Sequence, residues 1–196
     1  MEYHKNLLMN YLKNMEIKPL IEPIYQTSNY VLDGDDPNKG YTYSRSANPT
    51  RDVLQKEIAE LEHAKHGLCF ASGLAAVDAV MRLFNPGDEV LCHQDLYGGS
   101  YRLFEKVHSD KEFIYFNFGE TEGIVSEKTR AMFLETPTNP TLQTIDIKKA
   151  SEFCREHNLL LIVDNTFASP YYQNPLDLGA DIVIHSVSKY INGHGD

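Results

Sequence analysis

The segment Leu159–Asp164 constrains the fold of this chain most. Five consecutive apolar residues, Leu159 to Val163, are closed by a carboxylate. The run is too short to cross a bilayer and shorter than an ordinary helix. An apolar strand without polar alternation is buried on both faces, as in a parallel sheet covered by helices. The flanking text supplies such a sheet. Glu89–His93, Glu112–Phe116, Ala131–Glu135 and Asp181–Ser186 read as further strands. Helical patterns alternate with them: Gly73–Phe84, stopped by Asn85-Pro86-Gly87; Ser100–His108; and the face Ile147, Ala150, Phe153, Cys154 and His157. An earlier helix carries Leu54, Ile58 and Leu61 on one face, with Gly67 as its stop. Strands alternating with helices predict an α/β fold, a mostly parallel sheet with helices on both faces.

The N-terminal text differs. Leu7, Leu8, Tyr11, Leu12 and Met15 predict a short helix within Met1–Ile17. From Lys18 to Thr50 the chain is rich in Pro, Gly, Asn, Asp, Ser and Tyr, and Pro19, Pro23, Pro37 and Pro49 argue against a long helix. So long an irregular segment is more often functional or packed on a partner. The expected organisation is an N-terminal arm over residues 1–50 and an α/β domain over 51–196. The chain reaches Asp196 soon after its last strand, so the sheet is expected to be incomplete.

Composition narrows the function. The 196 residues carry a formal net charge of −10, which repels phosphate backbones and disfavours nucleic acid as a partner. No signal peptide or membrane-spanning run is expected from this text. Three scattered cysteines with no CxxC suit a reducing cytoplasm rather than a disulfide scaffold or zinc ribbon. His63, His66, Cys92 and His93 lack zinc-finger spacing, so no metal is expected and the histidines read as surface residues. Neither GxGxxG nor GxxxxGK[ST] occurs, which disfavours an ordinary nucleotide-binding domain.

In open α/β sheets ligands lie beyond the carboxyl ends of the strands. That rule selects Ala71–Leu74, Gln94–Ser100, Glu135–Pro140, Asp164–Thr166 and Ser186–Lys189. Ser72-Gly73-Leu74 opens a helix, where free amides attract phosphate, although Ser-Gly is also a routine cap. Asp164 ends a buried strand; it either makes an Asx turn or faces a cationic ring nitrogen. Lys189 follows two hydroxyls, Ser186 and Ser188; it is either a solvated lysine or a Schiff-base former. Tyr97 either packs a turn or stacks on a flat ligand. Pyridoxal phosphate demands all four groups together: a lysine, an acid, a phosphate cradle and a stacked aromatic.

The wording around these positions resembles one family. It comprises Tyr43–Thr50 (YSRSANPT), Ala71–Ala76 (ASGLAA), Asp95–Ser100 (DLYGGS), Glu135–Pro140 (ETPTNP), Val163–Phe167 (VDNTF) and His185–Tyr190 (HSVSKY). From about Pro19 to Asp196 the chain resembles the transsulfuration enzymes, the Cys/Met-metabolism group of fold-type-I pyridoxal-phosphate enzymes. The resemblance implies the large domain of a fold-type-I transferase without its C-terminal part and without the C-terminal small domain. It implies that Lys189 is the Schiff-base lysine and that Asp164 pairs with the pyridine nitrogen. Tyr97 stacks on the ring and assists proton transfer. Gly73 and Leu74 bind phosphate through the backbone, helped by Ser186 and by Ser188, where the family usually has Thr. Asn139 lies near the ring hydroxyl and Thr166 behind the ring. Tyr43 and Arg45 reach the cofactor phosphate of a neighbouring subunit and, with Tyr97 and Arg102, contact substrate. An exposed helix arginine is the plain alternative for Arg102.

The implied chemistry is γ-elimination or γ-replacement on cystathionine or an activated homoserine, in cysteine and methionine biosynthesis, with a homodimer or homotetramer as the assembly. Gly99 stands where methionine γ-lyases typically have Cys, which counts against that branch. Tyr43–Arg51 has γ-lyase wording, and Gly98–Phe104 has γ-synthase wording. The alternative is a non-catalytic fragment that binds the cofactor or only joins longer subunits. The isolated chain is expected to be weakly active or inactive.

Overall fold

A computed structural model describes residues 20–32, 40–117, 119–120 and 122–194. The helix expected within Met1–Ile17 lies outside them. The chain divides into two compact units, one ending at Leu54 and one beginning at Gln55.

In the first unit, irregular backbone is pinned by polar side chains. Asn48 donates from Nδ2 to the Tyr25 carbonyl (3.0 Å), the Tyr30 hydroxyl (3.1 Å) and Ser44 Oγ (3.0 Å). Asn29 and Tyr43 form an isolated antiparallel bridge. Asn48 also accepts the Thr50 amide at 2.9 Å, capping α1 (Pro49–Leu61). Pro49, one of the prolines that argue against a long helix before Thr50, opens the helix that follows. At the first helical position its missing N–H costs nothing and its fixed φ suits the turn.

The second unit contains a five-stranded sheet. Its strands are β1 (Glu89–His93), β2 (Glu112–Phe116), β3 (Thr129–Glu135), β4 (Leu160–Asp164) and β5 (Ile182–Ile184). Their order is β2-β1-β3-β4-β5, and every pairing is parallel. Helices α2 (Gly73–Met81), α3 (Gly98–Lys106) and α4 (Ile147–Glu156) connect them, with a short α5 (Ser169–Tyr172) that the sequence pattern does not reveal. Strand alternation divides the core in two. Leu91, Met132, Leu134, Leu161 and Val163 pack with Ile147, Ala150 and Cys154 of α4. Val90, Cys92, Phe133, Ile162 and Ile184 pack with Val77 and Met81 of α2 and Phe104 of α3. The sheet is thus covered on both faces, as a parallel sheet requires.

Three expected details change. On α1 the stripe Leu54, Ile58, Leu61 is not the buried face: Leu61 is 52% exposed, while Ala59 and Glu62 are buried. The chain returning through Gly67–Cys69 covers the other side, and the Cys69 amide bonds Gln55 Oε1 at 3.0 Å. The helix ends before Gly67, because His63 takes a positive φ of 54° just after Leu61. His63 then pairs with Asp177 at 2.7 Å instead of standing on the helix. Helix α2 stops at Met81, where Leu83 bonds the Val80 carbonyl three residues back, tightening the last turn.

Phe104 is fully buried, stacked on Phe113 (4.5 Å between ring centroids) and edge-on to Phe133 (5.4 Å). Phe104→Ala should lower unfolding stability by about 3–5 kcal/mol in urea titrations. Tyr171→Ala, at an 85% exposed position, should shift it by less than about 0.5 kcal/mol.

Candidate active site

Parallel pairing aligns the carboxyl ends of the central strands. Glu135 is in register with Asp164, and Asp164 with Ile184. Because side chains alternate, both carboxylates lie on the face that carries α2 and α3. Both are buried, at 5% and 9% exposure. Among the described residues neither is in an ion pair.

Asp164 Oδ1 accepts the Thr166 amide at 3.0 Å, the Asx turn anticipated for it. Burial raises its pKa, against the Thr166 hydrogen bonds and the positive influence of His185 and Lys189. Burial also pushes Glu135 up to about 7, with the Asp164 charge adding to it and Asp95 adding further. Amide donors at Tyr97 and Asn139 pull the other way. The site therefore holds two desolvated acids side by side with no cation bonded to either.

The segment after β5 faces them. Lys189 Nζ lies 3.4 Å from Ser186 Oγ and 3.3 Å from Ser188 Oγ, and the hydroxyls are 3.2 Å apart. The Ser186 amide bonds Thr166 Oγ1 at 2.8 Å, tying this loop to the end of β4. Helix α2 begins against the same loop: a Cβ on Gly73 would lie 2.7 Å from the Ser186 Cβ, so only glycine fits. Ser72 caps that helix through the Ala75 amide at 3.1 Å, leaving the amides of Gly73 and Leu74 at its start. Asp164, Thr166, Ser186, Ser188, Lys189, Gly73 and Leu74 are therefore brought together.

Tyr97 joins them from another loop. Its amide donates to Glu135 Oε2 at 2.6 Å. Its ring lies over Gly99, where any Cβ would collide with it. Asn139 lies in the loop beyond β3, where its backbone amide lowers the pKa of Glu135. Asp95 accepts hydroxyl bonds from Thr138 and Thr141, fastening the Asn139 loop to the Tyr97 loop. Arg102 is exposed on α3, and no hydrogen bond links it to the cluster among the described residues. Tyr43 and Arg45 belong to the N-terminal unit, where the guanidinium stands 5.0 Å from the tyrosine ring centroid.

Sequence reasoning assigned no role to Glu135, although it closes an apolar run just as Asp164 does. It also missed a buried network on the other face of the sheet. Glu62 Oε1 accepts from Asn165 Nδ2 at 2.9 Å and from His185 Nε2. Asn165 exchanges further bonds with Gln173, whose amide reaches the Thr136 carbonyl at 3.0 Å. Glu62 Oε2 and His185 Nδ1 are buried without partners. No local signal marks Glu62 for this role, because its partners lie more than a hundred residues away. A separate cleft of about 790 Å³ lies at the amino ends of the strands, lined in part by Asp88, Arg130 and Asp181, and holds none of these residues.

The arrangement fits a ligand with an anionic end, a flat ring and a ring cation. A glycine-closed helix start and two hydroxyls suit phosphate. A buried, unpaired carboxylate suits a protonated pyridine, and Lys189 supplies the amine. Such a site, at the carboxyl ends of a parallel α/β sheet, defines the class of pyridoxal-phosphate enzymes built on a Schiff-base lysine.

The comparisons agree. Residues 7–196 match the family described as Cys/Met metabolism PLP-dependent enzyme. A probable cystathionine gamma-synthase of Herpetosiphon aurantiacus is 48% identical over 182 residues, covering 90% of this chain and 57% of the relative. A cystathionine beta-lyase of Lactococcus lactis subsp. cremoris is 47% identical, covering 89% and 47%. The crystal structure of cystathionine gamma-lyase from Lactobacillus plantarum, complexed with L-serine, superposes with a TM-score of 0.84 at 45% identity, over 89% of this chain and 47% of that one. The chain thus belongs to the Cys/Met-metabolism family of pyridoxal-phosphate-dependent enzymes. It spans about half the length of these relatives.

The raised pKa of Glu135 links stability to pH. Between its ordinary value of 4.5 and about 7, folded Glu135 keeps a proton that the unfolded chain releases. The folded state then binds more protons, so stability falls as pH rises through that window. Urea unfolding at about pH 5 and about pH 8 should show the native chain losing about 2.5 kcal/mol more than Glu135→Gln across that interval. Equal losses would refute the assignment.

Proposed function

We propose that the chain forms the cofactor-binding part of a transsulfuration enzyme that performs γ-elimination or γ-replacement on cystathionine or an activated homoserine. The observation that carries the reading is the convergence of Lys189, Ser186, Ser188 and Gly73 on the strand end that buries Asp164. Bound there, pyridoxal phosphate supplies an electron sink for the bond changes at the substrate α-carbon. Asp164 holds the ring nitrogen protonated. The amides of Gly73 and Leu74 and the hydroxyls of Ser186 and Ser188 hold the phosphate. Tyr97 covers one ring face, Asn139 meets the ring hydroxyl, and Thr166 fastens the two strand ends behind it. Lys189 Nζ takes a proton from the substrate α-carbon and returns it along the chain, as base and then acid. Tyr97 assists that transfer.

Relatives named synthase, β-lyase and γ-lyase stand at nearly equal identity, 48%, 47% and 45%, so identity does not rank the reactions. The γ-type reading rests on the wording of Tyr43–Arg51 and Gly98–Phe104. Tyr43 and Arg45 are assigned to the phosphate and substrate of a neighbouring subunit in a homodimer or homotetramer, and Arg102 to the substrate. Three free cysteines support a reducing, cytoplasmic setting. Among the described residues no helix is long and apolar enough to cross a membrane.

The test adds pyridoxal phosphate to the purified chain, reduces with borohydride and maps the adduct by mass spectrometry. Stoichiometric labelling confined to Lys189, and lost in Lys189→Ala, is expected. Labelling spread over other lysines would overturn the site. Cystathionine cleavage and synthesis assays then follow. Labelling without turnover would assign the chain the cofactor-binding share alone.

A further inference from the structure

Glu135 has no part in the function proposed above, yet the structure makes it expensive. Its carboxyl is 5% exposed and sits in register beside a second buried carboxylate, Asp164. A buried acid next to another acid is costly unless specific donors hold it. Backbone amides of two different loops act on it here. Tyr97 N–H reaches Oε2 at 2.6 Å, and the Asn139 amide lowers the pKa of the same carboxyl.

The Tyr97 amide stands at the N-cap position of α3, and the Tyr97 side chain makes no capping hydrogen bond there. A tyrosine has no oxygen placed to cap its own helix. Glu135 supplies from β3 an acceptor for the N–H of the N-cap residue itself, the bond that a glutamate of the helix's own first turn makes in a capping box. β3 lies between β1 and β4 within the sheet, so the anchor itself is rigid. The groups facing Glu135 are Asp164 from β4 and Asp95 from the loop after β1, while His185 and Lys189 beyond β5 act on Asp164.

We propose that Glu135 is a positioning residue of the cofactor site: it clamps the Tyr97 loop to the end of β3 and so sets the Tyr97 ring before the cofactor arrives. The inference rests on the reading that Tyr97 meets the cofactor. It extends that reading to a residue whose action passes through a backbone amide alone.

Three variants test it. Glu135→Gln keeps a carbonyl acceptor of the same reach, Glu135→Ala removes it, and Glu135→Leu removes it while nearly preserving volume. Hydrogen exchange on the cofactor-free chain reads the clamp directly. Amides at the start of α3 should exchange roughly tenfold faster in the Ala and Leu variants, as expected for one lost buried hydrogen bond. Amides of β4 should stay as protected as in the native chain, and the Gln variant should match the native chain throughout. Titration with pyridoxal phosphate, followed by tyrosine fluorescence and by borohydride trapping, should show affinity falling roughly tenfold for Ala and Leu and recovering with Gln. Native-like exchange and affinity in both Ala and Leu would overturn the proposal. So would a Gln variant as impaired as Ala, since the acceptor would then not be what matters. Failure of the native chain to trap the cofactor at Lys189 would instead strike at the functional reading, and the exchange comparison would still decide the clamp.

Discussion

Two carboxylates forced out of water at neighbouring strand ends organise this molecule. Parallel register puts Glu135 beside Asp164 on one face of the sheet, and burial raises the pKa of both. Neither is neutralised by an ion pair among the described residues. The groups around them answer that strain in different ways. Backbone amides of Tyr97 and Thr166 donate to the oxygens, and Lys189 and His185 lend positive charge from beyond β5. Among the described residues no cation is bonded to Asp164, and this is the feature on which the proposed pairing with a protonated pyridine rests.

The face opposite the site carries the complementary device. Glu62, Asn165, His185 and Gln173 interlock beneath the ends of β3, β4 and β5. Glu62 and His185 are almost wholly enclosed, with side chains 4% and 5% exposed. Breaking such a network leaves buried polar atoms without partners, which costs more than forming it gains. The site residues above are thus held by strand ends that cannot drift apart cheaply. Thr166 completes the tie on the cofactor side by accepting the Ser186 amide. Rigid strand ends then carry loops that can be varied, the usual division of labour in α/β enzymes.

Much of this architecture was legible from the chain text. The strands β1 and β2 fall where apolar runs predict them, and β3 and β4 differ by a residue or two at one end. Apolar runs bounded by polar or turn residues read clearly because burial on two faces allows no alternation. Helix termini were less legible. Lys65-His66-Gly67 has the composition of a helix stop, yet α1 ends at Leu61, where His63 turns the chain with a positive φ. The stripe Leu54–Leu61 is not the buried face, because the returning Gly67–Cys69 segment packs against Gln55 and Ala59 on the other side of α1. Local text records preference; the packing partner decides which preference is used.

What the sequence determined by itself was the parallel α/β class and the set of strand-end loops where chemistry belongs. It also singled out Lys189, Asp164, Gly73, Ser186 and Ser188, which the structure brings to neighbouring strand ends and whose chemistry is written in their own side chains or in the lack of one. What only the tertiary structure decided was everything that depends on register and on contacts between distant segments. Glu135 acquires its raised pKa only because β3 and β4 align it with Asp164. Glu62 becomes a buried anchor only because His185, 123 positions later, is folded against it. Gly73 is obligatory only because Ser186 stands where its side chain would be. Each of these is a matter of desolvation or steric overlap between residues far apart in the chain, and neither can be read from one residue's neighbours in sequence.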